Sequence, residues 1–312
     1  MISDASPVNR YAPIALFAYN RVVHLRRTIE ALRQNAESSV SLLCVFSDAP
    51  KTERERDAVN AVRQYVRDID GFAAVHIVEQ NENYGLARSI ITGVTHVCNE
   101  YGRVIVLEDD MVISRYFLRF MNDALERYES DERVISIHGY VYPIERSLPE
   151  SWFLKAAHCW GWATWRRGWE CFEPDGQRLL DELKRRGLSK QFDFDGSYPY
   201  TQMLQDQING RNNSWAIRWY ASAFLQDKLT LYPGRNLVYN TGMDGTGTHC
   251  SVTNRFSSGI ADRPIDLGAI GVAEDAGARR AISGFFKKTQ RPAPIRFAAR
   301  VVRYLVHVLR RR

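Results

Sequence analysis

Long apolar runs are missing from this 312-residue chain. No stretch of about 18 or more apolar residues is available to cross a bilayer. The opening residues, MISDASPVNRYAP, lack the charged start and apolar core of a secretory leader, so neither secretion nor membrane insertion is expected. Cysteine is sparse too. The five residues Cys44, Cys98, Cys159, Cys171 and Cys250 are scattered, odd in number and without a CxxC pair, which excludes a compact structural zinc site and points to free thiols in a reducing cytoplasm. Acidic residues are absent from 279–312, which hold eleven of the 42 Lys and Arg. The net charge of +6 is therefore set by one end, and the remainder carries 31 basic against 36 acidic residues. Nucleic-acid binding is not expected, because a basic stripe would have to cross a folded face rather than lie in a terminal segment. Internal repeats and low-complexity tracts are absent as well.

With 45% hydrophobic and 25% charged residues, the chain can bury one large α/β core, with or without a small appendage. Its first half alternates strand-like and helix-like segments, the pattern of βαβ units with a mainly parallel sheet. The apolar run 13–19 precedes helical spacing of Val22, Leu25, Ile29 and Leu32, and strand 41–46 precedes a charged helix over about 52–68. A third cycle runs through strand 74–79 and helix 86–99. The fourth strand, 103–107, ends abruptly in Glu108-Asp109-Asp110, and a helix over about 114–128 follows. Asn20, Asp48, Tyr84 and Asp110 all fall at carboxyl ends of strands, where open α/β sheets bind ligands. After Arg133 the chain becomes more aromatic and its connections irregular.

Three consecutive carboxylates delivered by a buried strand repel one another unless a cation or hydrogen-bond donors satisfy them. Mg²⁺ or Mn²⁺ held by one or two of them, and by diphosphate oxygens, would do so. The competing reading is an acidic helix N-terminus that complements the helix dipole. The position at the end of a buried strand favours the cation.

The ordered set Phe17-Ala18-Tyr19-Asn20-Arg21, Ser47-Asp48, Asn83-Tyr84-Gly85-Leu86-Ala87-Arg88-Ser89 and Leu107-Glu108-Asp109-Asp110 resembles the donor half of GT-A glycosyltransferases. In particular it resembles bacterial polysaccharide transferases related to the N-acetylglucosaminyltransferase I family. The resemblance covers about residues 12–255 and implies a GT-A (Rossmann-like) open mixed sheet flanked by helices. It implies that Asp110 ligates Mn²⁺ or Mg²⁺ in a DxD-like motif, and that Glu108 and Asp109 contact donor sugar and ribose. It further implies that Asn20, Arg21 and Asp48 hold the nucleoside, and that Tyr84, Gly85 and Arg88 line the donor pocket. Chemistry agrees with these roles: Asp48 can accept from a base edge, Arg21 and Arg88 can offset phosphate charge, and Gly85 lets backbone approach a ligand. Each also has a plainer reading, as a solvated helix residue for Arg88, a turn glycine for Gly85 and a turn residue for Asp48.

In the second half, His158-Cys159-Trp160-Gly161-Trp162 is similar to a glycine and tryptophan segment that faces donor sugar and acceptor. Trp160, Gly161 and Trp162 are kept as acceptor-side candidates, while Trp165 and Trp169 read as core. Inverting transfer needs a base for the acceptor hydroxyl. Asp193, Asp195, Asp206 and Asp227 are candidates, and Asp206 is preferred because related transferases place their base in a comparable stretch. The chain departs from many relatives in carrying Ala216, where they have an acidic residue after the tryptophan. Asp206 also reads as a solvated helical carboxylate. The segment Asn240-Thr241-Gly242-Met243-Asp244-Gly245-Thr246-Gly247-Thr248-His249 resembles the loop that closes this family's donor site, with His249 a candidate second metal contact or a structural hydrogen-bonding residue.

Helical spacing of Arg296, Arg300, Arg303 and His307, with apolar residues between, gives a basic amphipathic C-terminal helix suited to an anionic membrane surface, where each Lys or Arg contributes about 1 kcal/mol. Phe285, Phe286, Lys287 and Lys288 are a candidate second contact; packing on the body is the alternative. The domain expectation is a transferase domain over 1–275, with a donor half over about 12–130 and an acceptor half over about 131–260, then a basic segment over 276–312. The expected activity is metal-dependent transfer of a hexosyl or N-acetylhexosaminyl group from a nucleotide-sugar to a glycan or lipid-linked acceptor, in polysaccharide or lipopolysaccharide synthesis at the inner face of the membrane. Two rivals stand beside it. A sugar nucleotidyltransferase needs a Gly-rich basic loop after the first strand, where Asn20-Arg21-Val22-Val23 stands; a non-catalytic glycan- or membrane-binding protein on a degenerate scaffold is disfavoured by Glu108-Asp109-Asp110.

Overall fold

The computed structural model describes residues 11–144, 146–244, 256 and 258–290. The first half proceeds as β1 (Ile14–Ala18), α1 (Val22–Arg33), β2 (Leu42–Ser47), α2 (Arg56–Arg67), β3 (Ala74–Glu79), α3 (Gly85–Tyr101) and β4 (Arg103–Glu108). These are the expected βαβ cycles. After β5 (Met111–Ile113) and α4 (Phe117–Arg127) come β6 (Val134–His138), β7 (Ser151–Leu154), β8 (Trp162–Trp165), α5 (Arg166–Trp169), α6 (Gly176–Arg185), α7 (Ser189–Phe192), α8 (Tyr200–Ile208) and α9 (Trp215–Leu225). The described chain closes with β9 (Leu229–Pro233), β10 (Val238–Asn240) and α10 (Ala276–Thr289).

Eight strands form one sheet in the order β3-β2-β1-β4-β8-β6-β9-β7. The first four are mutually parallel, β8 runs against both β4 and β6, and β7 runs against β9. Every residue of β1 is buried, as befits a central strand covered by helices on both faces. On one face Leu25, Ile29 and Leu32 of α1 pack with Leu118, Met121 and Leu125 of α4. The opposite face is covered by Ile90, Val94 and Val97 of α3 and by Trp215 and Trp219 of α9. Gly102, at φ +77°, ends α3 in the left-handed conformation that glycine adopts without a Cβ clash and turns the chain directly into β4.

The helix expected over about 114–128 is α4, but ahead of it stands the unforeseen β5, which pairs antiparallel with β10 as a separate two-stranded ribbon, Met111 opposite Asn240. This ribbon lays residues 241–244 beside Asp110. A second departure concerns α10. Ala278, Ile282 and Phe286 lie inside a third core cluster with Trp152, Leu179, Leu204 and Tyr232, and Phe286 is 1% exposed. The proposed division at 275/276 therefore cuts through packed structure, and Phe286 is not available as a membrane contact. The expected helix over 295–309 lies outside the described residues, as does His249. Among the described residues no helix is long and apolar enough to cross a membrane.

Candidate functional site

Because β1, β2 and β4 are parallel, their carboxyl ends open on one edge of the sheet, and the residues just past them meet there. Asp109 and Asp110 are 3% and 7% exposed, while Glu108 is half-buried. Burial pushes the Asp109 carboxyl up to about 6, against the opposing pull of Arg21. The Glu108 carboxyl is raised by burial and by the neighbouring charges of Asp110 and Asp109. Arg21, at the start of α1, answers this charge. Its Nη2 donates to Asp109 Oδ1 and, at 2.8 Å, to Asp110 Oδ2. Burial opposes the guanidinium charge, but these two carboxylates more than restore it.

The backbone around the pair is pinned. Thr28 Oγ1 donates to the Asp109 carbonyl at 2.8 Å, and the Tyr19 N–H reaches Asp109 Oδ2 at 3.4 Å. Thr241 closes on the Asp110 carbonyl from the ribbon side. Gly242 follows where a Cβ would lie 2.1 Å from Asp110 Oδ2, so only glycine fits there.

Among the described residues, no three His, Cys, Asp or Glu side chains converge as a complete metal-ligand set. Asp110 Oδ1 is nevertheless buried with no hydrogen-bond partner. An unpartnered carboxylate oxygen in a cluster of excess negative charge suits a hard divalent cation, the remaining ligands coming from diphosphate oxygens and water.

Asp48 is placed differently from its expected role. Its Oδ1 accepts from the N–H groups of Ala49 at 2.9 Å and Tyr84 at 2.8 Å, and its Oδ2 from Gly85 N–H at 2.8 Å and Asn83 Nδ2 at 3.2 Å. Four donors occupy the carboxylate, which leaves no free acceptor for a base edge and makes Asp48 the anchor of the 83–85 turn. Within that turn Gly85 stands at φ +67°. Arg88 is exposed, stacks on the Tyr84 ring at 3.6 Å and pairs with Glu82 at 2.9 Å. Asn20 sits half-buried at the end of β1.

On the second half of the same edge, Trp160 is half-buried and meets Tyr140 edge-on at 4.7 Å and Phe256 at 6.0 Å. Trp162 does not share this wall. It is 1% exposed and packs on Trp215, Trp219 and Trp169, because the first residue of β8 points its ring to the α9 face. Gly161, the other acceptor-side candidate, faces protein: a Cβ there would come 2.7 Å from Val238 Cγ2 and 3.1 Å from Phe117. That glycine, at φ +59°, admits β10 rather than a ligand.

Beyond the sheet edge, a family model for glycosyl transferase family 2 matches residues 14–170, from the start of β1 through α5. The chain belongs to glycosyl transferase family 2. Its members are glycosyltransferases, and the parallel donor half joined to a mixed second half is their GT-A arrangement. No curated protein matches the sequence. Among solved structures, S. aureus TarS is similar at 11% identity and a TM-score of 0.43, over 73% of this chain and 36% of that one, so the transferase spans about a third of its length. The mannosyltransferase PcManGT from Pyrobaculum calidifontis, in complex with GDP-Man and Mn²⁺, is similar at 14% identity and a TM-score of 0.37, over 71% and 72% of the two chains.

In this family 2 transferase Asp206 lies on α8, which packs on α6, α7 and α9. Its half-buried carboxylate accepts from Gln202 Nε2 at 2.9 Å and Arg211 Nη1 at 2.8 Å. Asp193 accepts from the Thr201 N–H at 2.6 Å, Asp195 faces Arg279 and Asp227 pairs with Lys155.

The sequence reading leaves out a relay behind the aromatic wall. Tyr232 donates its hydroxyl proton to the Ala156 carbonyl at 2.6 Å and also meets His158 Nδ1 at 2.8 Å. With that proton spent, Nδ1–H must be the donor to Tyr232, and His158 Nε2 is left to accept from Tyr200 at 3.2 Å. Burial pushes His158 down to about 4, so it stays neutral. Tyrosines at 200 and 232 had no local signal; only the fold brings them to His158.

Proposed function

We propose that this glycosyltransferase is metal-dependent and moves a hexosyl or N-acetylhexosaminyl group from a nucleotide-sugar to a hydroxyl of a glycan or lipid-linked acceptor, with inversion, in cell-surface polysaccharide or lipopolysaccharide synthesis. The observation that carries the metal reading is Asp110 Oδ1, buried and unpartnered beside two further carboxylates. Asp110 would hold Mn²⁺ or Mg²⁺, with His249, outside the described residues, as the second contact the family resemblance implies. The cation, when bound, offsets charge on the departing diphosphate. Glu108 and Asp109 face donor sugar and ribose, and Asn20, Arg21, Tyr84, Gly85 and Arg88 complete the donor pocket, with Asp48 fixing its 83–85 turn.

Trp160 forms the acceptor wall with Tyr140. Asp206 takes the proton of the acceptor hydroxyl as that oxygen bonds to the anomeric carbon and the bond to diphosphate breaks. For this Gln202 and Arg211 orient the carboxylate by donating to its Oδ1. The donor half spans about 12–130 and the acceptor half about 131–260, with α10 joined to the latter. Placement at the inner face of the membrane rests on the basic residues of 291–312 and on the exposed Lys287 and Lys288, without Phe286, which is in the core.

The test is nucleoside diphosphate release from UDP-, GDP- and dTDP-sugars with Mn²⁺ and a lipid-linked or oligosaccharide acceptor pool. Release from one donor that requires acceptor and metal, and that disappears in Asp110→Ala, is expected. No release from any donor, together with no metal-dependent nucleotide binding by calorimetry, would leave only a glycan-binding scaffold.

A further inference from the structure

One guanidinium nitrogen serves two carboxylates in this protein, and the arrangement leaves both sides of the bridge incomplete. Arg21 normally would engage a carboxylate as a fork, with two nitrogens on two oxygens. Here Nη2 alone contacts both Asp109 Oδ1 and Asp110 Oδ2. Arg21 Nη1 and Asp110 Oδ1 are each buried without a partner. A donor and an acceptor that lie this close and remain unpaired mark an arrangement built to be completed by something else.

The two carboxylates are not held alike. Asp109 keeps a backbone N–H from Tyr19 whatever Arg21 does. Among the described residues, the Asp110 carboxylate has Arg21 alone. The Arg21 side chain is 21% exposed and its backbone is fixed by the Leu25 N–H on its carbonyl, so the guanidinium can swing outward without disturbing α1.

We propose that Arg21 is an exchangeable counter-ion, a positioning residue that neutralises Asp110 in the free protein and must release it before a divalent cation can be held there. This rests on the metal reading above. Arg21 stays charged at any working pH, so it leaves Asp110 only for another anion. The donor diphosphate is that anion: its oxygens accept the guanidinium fork, including the idle Nη1, while Asp110 is freed for the cation. Cation and donor therefore enter together, and the protein does not hold a tight cation in the absence of nucleotide.

The experiment is titration of Mn²⁺, followed by electron paramagnetic resonance of the free ion, with and without UDP or GDP. Wild type, Arg21→Gln and Asp110→Asn are compared. Arg21→Gln is expected to bind Mn²⁺ alone about tenfold or more tightly than wild type, because a competing buried charge is gone, and to bind the nucleotide more weakly. A merely structural Arg21 would weaken the metal site when removed, so Mn²⁺ affinity equal to or below wild type overturns the proposal. Asp110→Asn is expected to lose Mn²⁺ binding in every state; if it keeps wild-type affinity, the metal reading itself fails. Should Arg21→Gln not fold, the double variant Arg21→Gln with Asp109→Asn keeps the net charge of the cluster, and the same gain over wild type is expected of it.

Discussion

Thr241 donates twice to one atom, giving its backbone N–H at 2.8 Å and its hydroxyl at 2.9 Å to the carbonyl oxygen of Asp110. The two residues are far apart in sequence and are brought together by the β5–β10 ribbon. Asp110 is thereby oriented through its backbone as well as by Arg21 on Oδ2, while its Oδ1 keeps no partner.

Thr241→Val removes the hydroxyl bond and preserves shape. One neutral hydrogen bond contributes about 1 kcal/mol to stability, so a melting temperature lower by about 2 °C is expected, with a fall in kcat/KM for donor of about fivefold that so small a loss of stability does not explain. Steady-state kinetics beside a thermal melt check it. Equal loss in both would make Thr241 a residue of general stability.

Asp48→Asn should act through the 83–85 turn. An amide nitrogen would face an N–H donor of Ala49, Tyr84 or Gly85, and a charge-assisted set would become a neutral one. A loss of about 2 kcal/mol of stability is expected, with a raised KM for donor whichever base it carries. If Asp48 instead read the base, the variant would alter the preference among UDP-, GDP- and dTDP-sugars and leave urea unfolding unchanged.

These roles show what the sequence made legible. The three βαβ units were readable because Val22, Leu25, Ile29 and Leu32 repeat at helical spacing and the strands β1, β2 and the centre of β4 are continuously apolar. The carboxylate run was readable because its position after β4 needs no tertiary information. β5 was not, since three residues carry no period and their partner lies in β10. The Arg21 bridge to Asp109 and Asp110 spans 88 and 89 positions, beyond any local pattern. Trp160 and Trp162 look equivalent in sequence, and only the start of β8 sends one to the wall and the other into the core. For α10 a signal existed: Ala278, Ile282 and Phe286 fall at i, i+4 and i+8, but the neighbouring basic charge outweighed it.

His158 sets an acid limit on stability. Its folded pKa, about 4, lies below the ordinary 6.5, so the unfolded chain binds a proton that the folded one refuses. The sign follows: its contribution is full above about pH 6.5 and is lost as pH falls toward 4, by about 3 kcal/mol in all. The raised Glu108 and Asp109 carboxyls contribute with the opposite sign over the same window, so the decline is read as the difference between wild type and His158→Gln in urea unfolding at pH 7.5, 6 and 4.5. An unchanged slope in the variant would assign the acid sensitivity elsewhere, with His138, also pushed down by burial, next to be replaced.

The packing of α10 bears on where the polypeptide can be shortened. Cutting at 275, where composition changes, would strip Ala278, Ile282 and Phe286 from Tyr198, Phe194 and Tyr142 and leave an oily scar over the third core cluster. A trimmed enzyme meant for crystals or assays should end after Gln290, keeping α10 as a plug while shedding the basic residues beyond it.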